Sequence, residues 1–194
     1  MKKVLVAYVS HSGSTKEVAE FIGKEISDHD CQVDIKPVSA ISDISSYDQV
    51  IAGGLVYRFG WHPEITKFLK DNSDLLTNRQ IALFVVGLRL VKTKALEAIG
   101  FPVFVDPNMV YVPNNEEKLN ALDSFSTMDG YMRQFIVTLK EIHPISLGFF
   151  CGKLDLKILS FPEQIIMRLL MLFTGIKEGD HRNWEAIQSW SNAL

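Results

Sequence analysis

Residues 4 to 15, VLVAYVSHSGST, constrain this chain more than any other stretch. Val4, Leu5, Val6, Ala7, Tyr8 and Val9 form a short apolar run rich in β-branched and aromatic residues, the pattern of a strand covered on both faces in a parallel sheet. The run breaks into Ser10, His11, Ser12, Gly13, Ser14 and Thr15. From Lys16 to Ile26, apolar residues recur at spacings of three and four (Val18, Ala19, Phe21, Ile22, Ile26), which predicts a helix with one buried face. The order is therefore strand, hydroxyl-rich loop with one glycine, helix.

That order has a chemical consequence. The first N–H groups of a helix lack partners inside it, and the helix dipole places partial positive charge there. Hydroxyls at Ser10, Ser12, Ser14 and Thr15, with Gly13 allowing close backbone approach, make the loop a site for a phosphate dianion. The plainer reading is an N-cap, and Ser14 with Glu17 fits a capping box. Neither GxxxxGK[ST] nor GxGxxG occurs here.

Four further strands are expected. Val33–Pro37 is short and ends in a proline, as at a sheet edge. Tyr47–Gly53, Ile81–Val86 and Pro144–Cys151 are apolar runs flanked by loops. The loop from Gly53 to His62 holds Val56, Tyr57, Arg58, Phe59, Gly60 and Trp61; aromatics can wall a flat conjugated ring, or they cover the end of the core. Pro63 opens the next helix. Gly87, Leu88 and Arg89 follow another strand, where backbone groups would meet the same ligand. Arg58 or Arg89 could neutralise an anionic ligand; otherwise each is a solvated surface cation.

A helix is expected over Lys92–Gly100, two β-like pieces over Phe101–Tyr111, and a helical region over Asn114–Lys140. Residues 101–128 read as an elaboration of the fold, either a lid or extra surface cover. Phe161–Phe173 (FPEQIIMRLLMLF) is apolar nearly all round and too short to cross a bilayer. Burial or a homodimer contact is preferred for it over peripheral membrane contact, because it lacks the basic polar face of an interfacial helix. Asp180, His181, Arg182, Asn183 and Trp184 then lead into an amphipathic helix.

Five alternations of strand and helix predict an α/β fold, a doubly wound five-stranded parallel sheet in the order 2-1-3-4-5, as one domain over residues 1–194. In that order the loops after strands one, three and four converge at one switch point. The net charge of −3 gives no basic footprint, so no nucleic-acid partner is expected. Cys31 and Cys151 have no metal spacing and read as free thiols in a reducing, cytoplasmic setting. Because the sequence goes straight into a strand, no signal peptide is expected. No acid–base pair and no metal-ligand cluster stands out, as expected where a cofactor carries the chemistry.

Ser10-His11-Ser12-Gly13-Ser14-Thr15 resembles the [ST]-x-[ST]-G-x-T loop of flavodoxins, and Tyr47-Asp48 is similar to the aromatic-Asp pair before their third strand. The resemblance implies FMN, with its phosphate on Ser10–Thr15 and its ring against Val56–Gly60 and Gly87–Arg89. The chain also resembles a narrower branch, the flavodoxin-like, quinone-dependent protoporphyrinogen oxidases. The points of likeness are Gly53–Gly60, the apolar segment after the fifth strand, and the closing turn with Trp184. It departs from that branch in the longer residues 101–128 and in the scarcity of Arg and Tyr between Gly152 and Phe161. The resemblance implies an FMN-dependent oxidoreductase acting on a quinone or small-molecule substrate. The alternative is an electron-carrier flavodoxin serving a redox partner protein; the mild net charge and the apolar helix lean towards the enzyme. A cofactor-free receiver-like module is disfavoured, since Ser10 and Gly53-Gly54 stand where its acidic residues would be.

Overall fold

The computed structural model describes residues 1–27, 31–57, 60–93, 100–114, 118–133 and 135–194. The apolar run opens as β1 (Lys2–Val9), followed by α1 (Ser14–Ser27), β2 (Cys31–Pro37) and β3 (Gln49–Tyr57). β4 (Gly60–Trp61) folds back on β3 as a hairpin, before α2 (Pro63–Asp71), α3 (Ser73–Leu76) and β5 (Gln80–Gly87). Next come β6 (Leu90–Val91), β7 (Val103–Val105) and β8 (Val110–Tyr111). Three short helices follow, α4 (Ala121–Phe125), α5 (Met128–Met132) and α6 (Ile136–Ile142). The chain closes with β9 (Ser146–Cys151), β10 (Lys153–Leu154), α7 (Phe161–Thr174), β11 (Gly179–Asp180) and α8 (Trp184–Ser191).

The main sheet has seven strands in the order β2-β1-β3-β5-β9-β7, with β4 off the path beside β3. All its pairings are parallel except the β3–β4 hairpin. This corrects the five-stranded 2-1-3-4-5 expectation. The two added strands, of three and two residues, are too short to register as periodic patterns. β7 comes from within residues 101–128, so that stretch contributes an edge strand to the sheet as well as surface cover.

The unbroken hydrophobicity of β1 follows from its position. Leu5, Ala7 and Val9 face a core layer shared with Ile65 and Leu69 of α2 and Leu83 of β5. Val4, Val6 and Tyr8 face the other layer, with Val18 and Ile22 of α1 and Ile187 and Trp190 of α8. Both faces are covered, so neither set of alternate residues can be polar. At the sheet centre Gly53 must lack a side chain, because a Cβ there would lie 2.3 Å from the Phe84 ring.

The helical region expected over 114–140 is broken into three pieces. Asn120 caps α4 through the Asp123 N–H, and Thr127 caps α5 through the Gly130 N–H. Of the helix expected over 92–100, residues 94–99 lie outside the described residues. The burial expected for the apolar segment 161–173 is overturned, since no residue of α7 is buried.

Candidate cofactor site

The cradle forms where β1 ends. Gly13 takes a φ of 90°, a left-handed conformation that favours glycine, and its N–H donates to Ser10 Oγ at 3.1 Å. The helix ladder of α1 begins with the Glu17 N–H donating to the Gly13 carbonyl at 3.0 Å. The N–H groups of Ser14, Thr15 and Lys16 therefore lie outside that ladder. Ser14 and Thr15 are buried and Ser12 is half-buried, while nothing lies within 4 Å of where a Cβ on Gly13 would be. Hydroxyls, helix-start N–H groups and open space at a glycine make a donor set that fits a phosphate.

The capping-box expectation for Ser14 and Glu17 is not met. Ser14 is the first helical residue, and its Oγ accepts from the Lys153 N–H at 3.0 Å, tying the cradle to the strand end that follows β9. Glu17 turns instead to Arg182. Arg182 also holds Asp180 through Nε (2.8 Å) and Nη2 (2.6 Å), and stacks on Trp184 with Cζ 4.6 Å from the ring centroid. Its side chain is only 6% exposed. This guanidinium keeps the Asp180 carboxyl below the usual carboxylate range, and the carboxylates in turn raise the pKa of Arg182. An acid in the first turn of α1 would repel a phosphate; Arg182 offsets it.

On the opposite side lies the β3–β4 hairpin. Val56 pairs with Trp61 and Tyr57 with Gly60. Arg58 and Phe59 lie outside the described residues. Val56, Tyr57 and Gly60 are half-buried at the carboxyl end of β3, beside the β1 loop. Trp61 is only 3% exposed, donates from Nε1 to the Gly54 carbonyl at 3.1 Å and packs edge-on against Phe135; it belongs to the core, not to a ring wall. Tyr57 lies 5.2 Å from His62 and 6.3 Å from His11, ring to ring, so the aromatic cluster at this end is Tyr57 with two histidines. Burial lowers the His62 pKa, and its Nδ1 accepts from the Glu64 N–H at the start of α2. His11 is exposed, with Nε2 3.6 Å from Glu163 Oε1 of α7.

Gly87 ends β5 with its carbonyl accepting from the Gly152 N–H at 2.7 Å, and a Cβ on Gly87 would lie 2.8 Å from Met109. Leu88 is half-buried and lines a cleft of about 570 Å³ with Asn108, Cys151, Ile176, Lys177 and His181. Arg89 is not a solvated surface cation. It is buried, with Nη2 2.8 Å from Asp123 and Cζ 3.8 Å from the Tyr111 ring centroid, and its carbonyl accepts from Tyr131 Oη at 2.6 Å. Burial pushes the Tyr131 hydroxyl up to about 12, so it stays a donor. Arg89 thus holds Tyr111, Asp123 and Tyr131 onto the end of β5.

Sequence reasoning missed Asp106. It is fully buried, and accepts from the Asn108 N–H (3.0 Å), the Cys151 N–H (3.2 Å) and Asn183 Nδ2 (3.2 Å). It joins the turn after β7, the end of β9 and the start of α8 beneath the cleft. Burial, then the Asp106 charge, push the Cys151 thiol up to about 12, leaving it protonated at neutral pH. Asp106-Pro107 reads only as a turn, and nothing local marks its partners.

The comparisons with known proteins bear on the family and the fold. A family model described as a flavodoxin domain matches residues 5–180. A short-chain flavodoxin associated with a bacterial microcompartment superposes with a TM-score of 0.54 at 13% identity, covering 100% of this chain and 97% of that one. Oxidised flavodoxin 2 from Bacillus cereus is 26% identical, with a TM-score of 0.41 over 44% of this chain and 62% of its own. Among curated proteins, protoporphyrinogen IX dehydrogenase [quinone] of Escherichia coli (strain K12) is 25% identical over 88 residues, which is 44% of this chain and 49% of the relative. The chain therefore spans about half the length of the curated relatives it matches. The family match spans residues 5–180 and with them nearly the whole sheet, and the chain belongs to the flavodoxin domain family.

Proposed function

We propose that this protein binds FMN and transfers electrons as a flavodoxin. The observation that carries this reading is the open cradle at the start of α1, where buried hydroxyls, free helix N–H groups and unfilled space at Gly13 meet the carboxyl ends of β3, β5 and β9. Ser12, Ser14 and Thr15 would hold the phosphate with the N–H groups of α1. Val56, Tyr57 and Gly60 on one side, and Gly87 with Leu88 on the other, would enclose the ring and exclude water. Bound FMN supplies the electron chemistry, and the chain sets its position and surroundings. A redox partner protein would then exchange electrons at the exposed edge.

Titrating the purified protein with FMN and following the absorption of bound flavin tests this directly. Saturation at one FMN per chain is expected. Unchanged affinity in the double variant Ser12→Ala, Thr15→Ala would remove the phosphate assignment.

A second reading is favoured by one observation, the 25% identity over 88 residues to protoporphyrinogen IX dehydrogenase [quinone]. In that reading the FMN protein is an enzyme that oxidises a reduced substrate and passes the electrons to a quinone. An anaerobic reductive titration separates the two, since a carrier accepts electrons in resolved single steps and a two-electron enzyme has no need of them. Protoporphyrinogen turnover coupled to quinone reduction would move the assignment to the enzyme.

A further inference from the structure

α7 turns a broad apolar face outwards. Its outward side carries Phe161, Ile165, Ile166, Leu169, Leu172 and Phe173, all exposed, with Leu172 at 78%. Its half-buried side carries Glu163, Gln164 and Thr174 together with Met167, Leu170 and Met171, while Arg168 is exposed. Glu163 accepts from the N–H and hydroxyl of Ser160 and faces His11, Gln164 donates to the Leu159 carbonyl, and Thr174 to that of Leu170. An exposed apolar face of this extent marks an interaction surface.

The charges around it point to one kind of occupant. From Lys153 to Arg182 the chain has five basic and four acidic residues, although the whole protein has a net charge of −3. All four acids are engaged within the lobe. Asp155 accepts from the Lys157 N–H, Glu163 caps α7, Glu178 accepts from the Leu156 N–H and Asp180 is held by Arg182. Lys157 before the helix, Arg168 within it and Lys177 after it are exposed, and among the described residues none has a side-chain partner. Arg168 is the one cation within the helix, and Lys157 and Lys177 on either side of it complete a basic rim.

We propose that α7 docks in the interface of an anionic lipid membrane, lying in the plane of the surface with its six apolar side chains among the acyl chains and Lys157, Arg168 and Lys177 among the headgroup phosphates. At 14 residues it is about 21 Å long, short of the roughly 30 Å hydrocarbon core. Among the described residues no helix is long and apolar enough to cross a membrane. A second copy of the chain fits the same face less well, because it would bring the same unpaired cations to both sides of the contact. The 3.6 Å approach of His11 to Glu163 keeps the start of α7 beside the cradle, so docking would hold the candidate cofactor site near the lipid. The docking itself does not depend on the FMN assignment.

Co-sedimentation of the purified full chain with vesicles tests this. Binding is expected to phosphatidylcholine vesicles containing phosphatidylglycerol, and to be much weaker to phosphatidylcholine alone or in high salt. The double variant Leu172→Ser, Phe173→Ser changes only exposed positions and should lose at least about tenfold in partition. Lys157→Glu, Arg168→Glu and Lys177→Glu together should lose about a hundredfold, at roughly fivefold or more per cation. Circular dichroism and the denaturation midpoint of both variants check that they remain folded. The proposal is overturned by a wild-type chain that stays in the supernatant with anionic vesicles, by equal binding to neutral and anionic vesicles, or by a lipid-indifferent dimer that Leu172→Ser, Phe173→Ser converts to monomer.

Discussion

α1 and α7 are both 14-residue helices, and the protein uses them in opposite ways. α1 turns Val18, Ala19, Ile22 and Ile26 into a closed core layer; α7 has no fully buried residue and turns six large apolar side chains out. Their starts differ as well. α1 leaves its first N–H groups to a cradle of hydroxyls, while α7 closes its own start through Glu163. Apolar content does not distinguish them in the expected direction, since α7 is the more apolar of the two and the less buried. What a helix does depends on which of its faces has something to pack against.

The largest expected break in this comparison is in stability. Ile22→Ala should cost about 2–5 kcal/mol, the price of truncating a fully buried aliphatic side chain, whereas Leu172→Ala should stay within about 0.5 kcal/mol. Denaturant midpoints measured on both variants check this; equal losses would mean that α7 packs against the fold. Next is ligand affinity. Thr15→Ala should weaken FMN binding by about 1.5–3 kcal/mol, the worth of a hydrogen bond to a charged group, and Leu172→Ala should leave FMN binding unchanged in the same titration. A smaller effect concerns the helix starts. Glu163→Ala should cost about 1 kcal/mol locally, seen as faster amide exchange in the first turn of α7 while that of α1 is unaffected.

The smallest effect depends on pH and uses α2 as a third helix start, closed by a histidine. Burial lowers the His62 pKa below 6.5 although Glu64 pulls the other way. Between the folded value and 6.5 the unfolded chain binds a proton that the folded chain resists, so stability is fully present above 6.5 and falls as pH drops through that window. In His62→Gln the slope of stability against pH in this window should flatten. A slope that persists unchanged would assign the pH dependence to other groups.

Much of the β1–α1 unit was readable because its signals are local. Val4–Val9 could only be a strand covered on both sides, and Ser10–Thr15 had to lie between it and a helix start. The same logic left Trp61 open between a ring wall and the core, because an aromatic in a loop reads alike whether it faces a ligand or the core; the β3–β4 hairpin folds it inward onto the Gly54 carbonyl. It also left Arg89 open between a ligand charge and a surface cation, when Asp123 and Tyr111 claim it.

By itself, then, the sequence determined the alternation of buried strands with helices and the position of a hydroxyl and glycine loop at a helix start, since both follow from residue type and spacing within about a dozen positions. Only the tertiary structure decided how the site is closed and charged. Ser14 Oγ meets the Lys153 N–H from 139 residues away, Arg182 reaches back to Glu17, and Asp106 joins three separated segments. It also decided which way α7 faces. Periodicity can show that a helix has an apolar face, but what covers that face depends on the path of the rest of the chain, and here the chain leaves it open.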